Sequence, residues 1–136
     1  MELYWAHKLD GEQVFLDAEE SHHCLKVMRH KRGDRVEVTD GNGNKYVAVI
    51  RNEDRNGCEL QTIELLKSES PRSPLCHLAI APTKSIDRFE WFLEKATEIG
   101  IAEVTPLICR RSERTQLKLE RLRKQVIAAM KQSQRC

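Results

Sequence analysis

Residues 76–107 read CHLAIAPTKSIDRFEWFLEKATEIGIAEVTPL, a short strand, a capped amphipathic helix and a second strand in that order. His77 to Ala81 is an apolar run ended by Pro82. Ser85 stands where an N-cap belongs, with Asp87 in the first turn beside the positive end of the helix dipole. Ile86, Phe89, Phe92, Leu93, Ala96 and Ile99 recur at steps of three and four, which predicts an apolar stripe facing a sheet, and Gly100 falls where helices turn left-handed to end. Ala102 to Leu107 is a second apolar run containing Pro106. Strands joined through a helix pair in parallel, and ligands of such sheets bind beyond the carboxyl ends of the strands. Those ends carry Thr83 and Lys84, then Arg110, Arg111 and Arg114, so a cationic rim occupies the functional position.

Upstream the pattern changes. LYWAHKLDGEQVFL alternates loosely and breaks at Asp10-Gly11, a hairpin dipeptide, predicting two short strands. Residues 17–30, DAEESHHCLKVMRH, begin acidic and end basic, as a short helix aligned with its dipole would, and Gly33 follows. Asp40-Gly41-Asn42-Gly43 lies between two β-branched runs, the strongest hairpin signal of the chain, and CELQTIELL supplies a further strand. Residues 1–66 therefore read as a small, mostly antiparallel β domain with one helix, closed or nearly closed into a barrel. Residues 67–74, KSESPRSP, read as a linker. Residues 75–136 form the second domain. After the cationic loop CRRSERT, Leu119, Leu122, Val126, Ala129 and Met130 mark a helix over about 116–134, with Arg121, Lys124, Lys131 and Arg135 on its other side.

The net charge of +2 conceals an asymmetry, since residues 1–70 carry about −4 and residues 71–136 about +6. A basic half in a nearly neutral protein argues for a localised anionic partner, of which nucleic acid is the commonest. No apolar run approaches 18 residues and no charged-then-apolar start is present, so the sequence supports neither a membrane span nor a signal peptide and reads as cytoplasmic. Five cysteines without a CxxC read as reduced thiols, with no metal expected.

Arg29, Lys31, Arg32 and Arg35 could grip a phosphate backbone or could be a solvated helix end. His22, His23 and Cys24 are adjacent and point three ways, which argues against a metal site. Glu90, Glu94 and Glu98 lie four apart on one helix face and repel unless cations lie opposite; Glu98 is expected to pair with Arg110, Arg111 or Lys84 rather than to act in acid–base chemistry. Lys84 could touch a substrate or simply precede the helix. Trp5, Tyr46 and Trp91 read as core residues before stacking platforms. No GxGxxG, P-loop or nucleophile elbow occurs.

HHCLKVMRHKRGDRVEVTDGNG resembles the N-terminal signature of the RsmE family, bacterial uridine-N3 methyltransferases of small-subunit (16S) ribosomal RNA. TKSIDRFEWFLEKATEIGIAEVTPL is similar to the family's K…K-x-T-E-L-G-V…P segment, and AAMKQSQR to its A-x-E-Q-S-x-R. The resemblance implies an α+β protein: a PUA-like RNA-binding barrel, then the start of an α/β SPOUT domain, which binds S-adenosylmethionine in a trefoil knot and acts as a homodimer. By position it carries His23, Arg29, Gly33, Asp40 and Gly41 onto the barrel motif, and Lys84, Lys95, Thr97, Glu98, Gly100, Pro106, Gln132, Ser133 and Arg135 onto the catalytic-domain motifs. Lys131 stands where the family has Glu, and MELYWA lacks an arginine often found there.

Residues and resemblance together give these expectations. RNA, the 16S ribosomal RNA or small subunit, is held by His23, Arg29, Lys31, Arg32, Lys84, Arg110, Arg111, Arg114, Arg121, Lys124 and Arg135, with Lys84 and Glu98 as candidate catalytic groups. The segments I-G-P-E-G and R-x-E-T-A that build the family's methyl-donor pocket do not occur, so that pocket is expected beyond Cys136 and the chain is expected to be a truncated form. The alternatives are a non-catalytic RNA-binding module and an assembly factor whose basic face binds a protein.

Overall fold

The computed structural model describes residues 2–69 and 75–135, which fall into two compact units, one on each side of the intervening stretch. The chain is α+β. The first unit holds β1 (Leu3–Trp5), β2 (Lys8–Asp10), β3 (Gln13–Phe15), α1 (Ala18–His22), β4 (Arg35–Thr39), β5 (Asn44–Asn52) and β6 (Glu59–Ser68). They form one sheet in the order β1-β4-β5-β6-β3-β2, antiparallel except for β1 against β4. The two edge strands are consecutive in the chain, and the turn between them joins both ends of the ladder: the Ala6 amide donates to Thr39 O and the next amide, His7, donates to Phe15 O, each at 2.9 Å. The sheet is thereby curled into a half-barrel around Tyr4, Val14, Leu16, Val36, Val38, Ala48, Ile50 and Leu60.

Period-two alternation sets the inner face, as in Val36 and Val38 or Ala48 and Ile50, while Glu37 and Lys45 meet on the other face, Nζ to Oε2 at 2.5 Å. The Asp40-Gly41-Asn42-Gly43 turn is tied by Asp40, whose Oδ1 accepts from the amides of Asn42 (2.8 Å) and Asn44 (3.2 Å). Gly41 is required twice over: its φ is +71°, and a β-carbon there would overlap the indole of Trp5.

Two boundaries differ from the expectation. β6 continues through Lys67 and Ser68, read above as linker, because these polar residues pair with Lys45 and Asn44 and the Ser68 hydroxyl donates to Asn44 Oδ1 at 2.8 Å. Residues 70–74 of the expected linker lie outside the described residues. The helix expected over 17–30 is capped by Asp17, whose Oδ1 accepts from the Glu20 amide at 2.9 Å, then widens into a π turn over His23–Val27 and stops where Arg29 takes a left-handed φ of +58°.

The second unit holds β7 (His77–Ile80), α2 (Ile86–Ile99), β8 (Glu103–Pro106) and α3 (Leu119–Gln132), with β7 and β8 parallel in the register Leu78↔Val104 and Ile80↔Pro106. Phe89 and Leu93 of α2 are buried against Leu122 of α3, with Ile80, Val104, Leu117 and Val126 packed around them. The α2 stripe therefore serves both the strand pair and α3. Ile99, the last residue assigned to that stripe, is 68% exposed, and Leu119, assigned to the α3 stripe, is 65% exposed. Gly100 ends α2 at φ +96°. Ser85 occupies the N-cap position without a side-chain cap bond; the Thr83 hydroxyl instead donates to Ser85 O at 2.6 Å. α3 starts at Leu119, three residues after the expected point. No helix among the described residues is long and apolar enough to cross a membrane.

Candidate nucleic-acid interface

In the first unit the candidate cations lie on the π turn and the loop after it. Lys31 and Arg32 are exposed on a loop held by its own backbone: Lys31 N donates to Asp34 Oδ2 (2.8 Å), Arg32 N to Glu53 Oε1 (2.6 Å) and Gly33 N to Ile50 O (2.9 Å). These bonds use amides, so the side chains of Lys31 and Arg32 project from a fixed frame. Arg29 is exposed on the same surface, whereas His23 is half-buried with its ring 5.9 Å from that of Tyr4. His23 thus edges this surface, packed against Tyr4.

Beneath the π turn, Tyr4, Cys24 and Cys58 are fully buried. Burial, reinforced by Cys24, pushes the Tyr4 hydroxyl far above its ordinary range, and a hydrogen bond with Cys24 raises Cys58 while lowering Cys24. Both cysteines are free thiols. Among the described residues no group of His, Cys, Asp or Glu is placed to hold a metal ion.

In the second unit the cations divide by what already occupies them. Arg110 and Arg111 sit at the two central positions of a tight turn, in which Ser112 N donates to Cys109 O (3.0 Å) and Cys109 N donates to Ser112 Oγ (2.8 Å). Both are exposed and, among the described residues, without an ion-pair partner. Arg114 is turned inward: Nε donates to Thr83 O and Lys84 O, both at 3.2 Å, and Nη2 to Lys84 O at 2.7 Å, which ties the loop after β8 to the loop after β7. Lys84, 85% exposed, stands 3.4 Å from Glu113. Arg121 lies against α2, its Nε 2.6 Å from Glu90 Oε1. Arg135 donates to the last carbonyls of α2, Nε to Glu98 O (2.8 Å) and Nη2 to Ile99 O (3.3 Å), and so caps the negative end of that helix. Lys124 is exposed on α3.

The carboxylate stripe of α2 is resolved differently from the expectation for Glu98. Its partner is Lys95 of the same helix, whose Nζ lies 3.1 Å from Glu94 Oε1 and 3.3 Å from Glu98 Oε2, because i,i+3 spacing brings them together without any tertiary contact. Hydrogen bonds to Glu94 first and Glu98 second raise the Lys95 ammonium above its ordinary value. Glu90 is met by Arg121 of α3. Sequence reasoning missed Arg114 and Arg135 as binders of backbone carbonyls, because both are held by residues 30 or more positions away.

The comparisons with known proteins follow the same division. Residues 69–136, half of the chain, match the RNA methyltransferase domain family, and residues 16–63 match the RNA methyltransferase PUA domain family. A ribosomal RNA small subunit methyltransferase E of Rickettsia conorii is 32% identical over 84% of this chain and 46% of its own length, and one of Synechocystis is 33% identical over 90% and 40%. The chain spans about half the length of the curated relatives it matches. Among solved structures, a probable rRNA-methyltransferase of Porphyromonas gingivalis is similar at a TM-score of 0.85 and 38% identity, covering 99% of this chain and 56% of that one. A ribosomal RNA small subunit methyltransferase E of Neisseria gonorrhoeae, bound to S-adenosyl methionine, is similar at 0.74 and 26%, covering 99% and 57%. A curled sheet matching the PUA domain family, a βαβα unit with cations at its strand ends, and matches to both domain families along one chain have a single source: the chain belongs to the RNA methyltransferase domain family, and is similar to small-subunit methyltransferases E.

Proposed function

We propose that this chain is the RNA-gripping portion of an enzyme that methylates N3 of a uridine in small-subunit (16S) ribosomal RNA, in the cytoplasm, with S-adenosylmethionine as donor. In this reading residues 1–66 are the barrel domain, residues 67–74 the connection, and residues 75–136 the opening of a SPOUT domain that pairs into a homodimer. The observation that carries it is the exposed Arg110–Arg111 turn at the carboxyl end of the parallel pair, in a chain whose two domain matches are both to RNA methyltransferases. The Arg29, Lys31 and Arg32 loop supplies a second phosphate-binding frame.

The cavity at the strand ends does not fit the methyl donor. Sites for ligands of that size occupy about 300–1,000 Å3, whereas the cavity at the strand ends measures about 210 Å3. The donor belongs, in this reading, to the part of the relatives that this chain does not cover. What these residues do is bind and orient. Methylation at N3 needs a uracil that has lost its N3 proton, and a nearby cation favours that anion. The exposed Lys84 ammonium can serve this purpose. Glu98 is engaged with Lys95 and its carbonyl with Arg135, so it reads as structural rather than as a base.

A non-catalytic RNA-binding module is the second reading, favoured by that same small cavity. Tritium transfer from S-adenosylmethionine to unmodified small-subunit RNA, measured with this chain and a full-length relative side by side, separates the two. The expected result is RNA binding by both and transfer by the relative alone, with no heat of donor binding to this chain in calorimetry. Transfer by this chain alone would overturn the assignment of the donor elsewhere, and failure to bind RNA would overturn the reading itself.

A further inference from the structure

Residues 31–34 close a tight turn in which Asp34 N donates to Lys31 O at 3.0 Å, with Arg32 at its corner and Gly33 next to it at φ +93°. The leading amides of this turn are already taken: Lys31 N by Asp34 Oδ2 (2.8 Å), Arg32 N by Glu53 Oε1 (2.6 Å) and Gly33 N by Ile50 O (2.9 Å). The same Asp34 oxygen lies 3.6 Å from His30 Nδ1, and Asp34 O accepts from Ile50 N at 3.1 Å. Carboxylates set among cations ordinarily pair with the cationic side chains. Here both accept from main-chain amides instead, and among the described residues neither Lys31 nor Arg32 has an ion-pair partner. A phosphate that approaches this loop therefore meets two uncompensated side chains whose points of attachment are fixed by two anions.

We propose that Asp34 and Glu53 are positioning residues for RNA: by holding the amides of Lys31 and Arg32 they present these two side chains to the phosphate backbone, so that each carboxylate strengthens the binding of a polyanion its own charge repels. The proposal rests on the RNA-binding reading above and adds which residues set the grip of the first unit. Charge alone predicts the opposite sign, since an anion removed from beside a phosphate should tighten binding. Without the carboxylates the loop has to be ordered at the moment of binding, at the expense of affinity.

The test uses pairs of variants of equal charge. Glu53→Gln and Glu53→Ala both remove the negative charge, and only glutamine keeps an acceptor for the Arg32 amide; Asp34→Asn and Asp34→Ala divide in the same way at the Lys31 amide. Both positions are exposed, so the alanine variants are expected to fold, which urea midpoints check. Each is measured in the whole chain by filter binding of end-labelled, unmodified small-subunit RNA. Each alanine variant should bind about three- to ten-fold more weakly than its amide counterpart, the scale of ordering one or two side chains, and more weakly than the unaltered chain. In an Arg32→Ala background the difference between Glu53→Gln and Glu53→Ala should vanish, which a general loss of stability would not produce. Equal affinities within a pair, or a Glu53 difference that persists without the Arg32 side chain, overturn the positioning role and leave RNA binding standing. Alanine variants that bind more tightly than the unaltered chain overturn it too, and show that the carboxylates act on RNA by repulsion. Absence of RNA binding by the unaltered chain overturns both the positioning role and the RNA-binding reading.

Discussion

Replacing Arg110 and Arg111 together with alanine should weaken RNA binding through its salt dependence. Each phosphate neutralised on a single strand releases counterions worth about 0.7 in the slope of log K against log salt, so losing two contacts flattens the slope by about 1.4. The structure predicts that these two arginines behave differently from Arg114 and Arg121, because they are exposed without an ion-pair partner among the described residues. Arg121 lies 2.6 Å from a Glu90 carboxylate, so its charge is already compensated and Arg121→Ala should change the slope by much less than 0.7. Arg114→Ala should lower affinity at every salt concentration, since it removes a tie between two loops, with a smaller effect on slope than either exposed arginine. Anisotropy titrations of a labelled single strand between about 50 and 200 mM salt supply all four slopes. A double variant with an unchanged slope, or an Arg121→Ala slope as flat as that of an exposed arginine, would refute the division of cations drawn from the geometry.

Gly100→Ala should destabilise the second unit by ~1–2 kcal/mol in urea unfolding, because alanine must take the left-handed φ of +96°, while the Arg135 guanidinium end, 2.9 Å from the new β-carbon, can shift aside; a cost near zero would deny the strain at this turn. The first unit should lose stability above about pH 10, because burial raises the Tyr4 phenol, so the unfolded chain releases that proton first and stability, complete below the unfolded pKa, declines by about 1.4 kcal/mol per pH unit as pH rises beyond it. Tyr4→Phe should flatten this alkaline limb by one proton, read from urea midpoints at stepped pH.

Much of the fold was legible because it is written in local chemistry. The α2 helix has its start, stripe and stop in consecutive residues, and Gly100 is explained twice, by its φ and by the guanidinium over it. The hairpin at Asp40–Gly43 is fixed by side-chain acceptance from amides two and four residues on. What could not be read was pairing between distant short runs. Leu3–Trp5 has three residues, too few for a period, and its parallel partner Glu37–Thr39 is determined by the shape of the curled sheet. The end of α1 was missed for a related reason: Arg29 adopts a left-handed φ that its residue type does not announce.

The candidate site was legible in its placement and not in its division of labour, and the reason is chemical. A carboxylate that binds an arginine leaves a mark in the sequence, since only Asp and Glu carry one, and Lys95 beside Glu94 and Glu98 could be paired by spacing alone. A backbone carbonyl leaves none, because every residue has one. Arg114 is held by the carbonyls of Thr83 and Lys84, and Arg135 by those of Glu98 and Ile99, at sequence separations of 30 and more. In the sequence these two arginines are therefore indistinguishable from Arg110 and Arg111. A count of basic residues overstates the charge such a surface offers to phosphates, and the cations it miscounts are those that shape the strand-end cavity and hold the end of α2. Their loss should be felt in stability before it is felt in the salt slope.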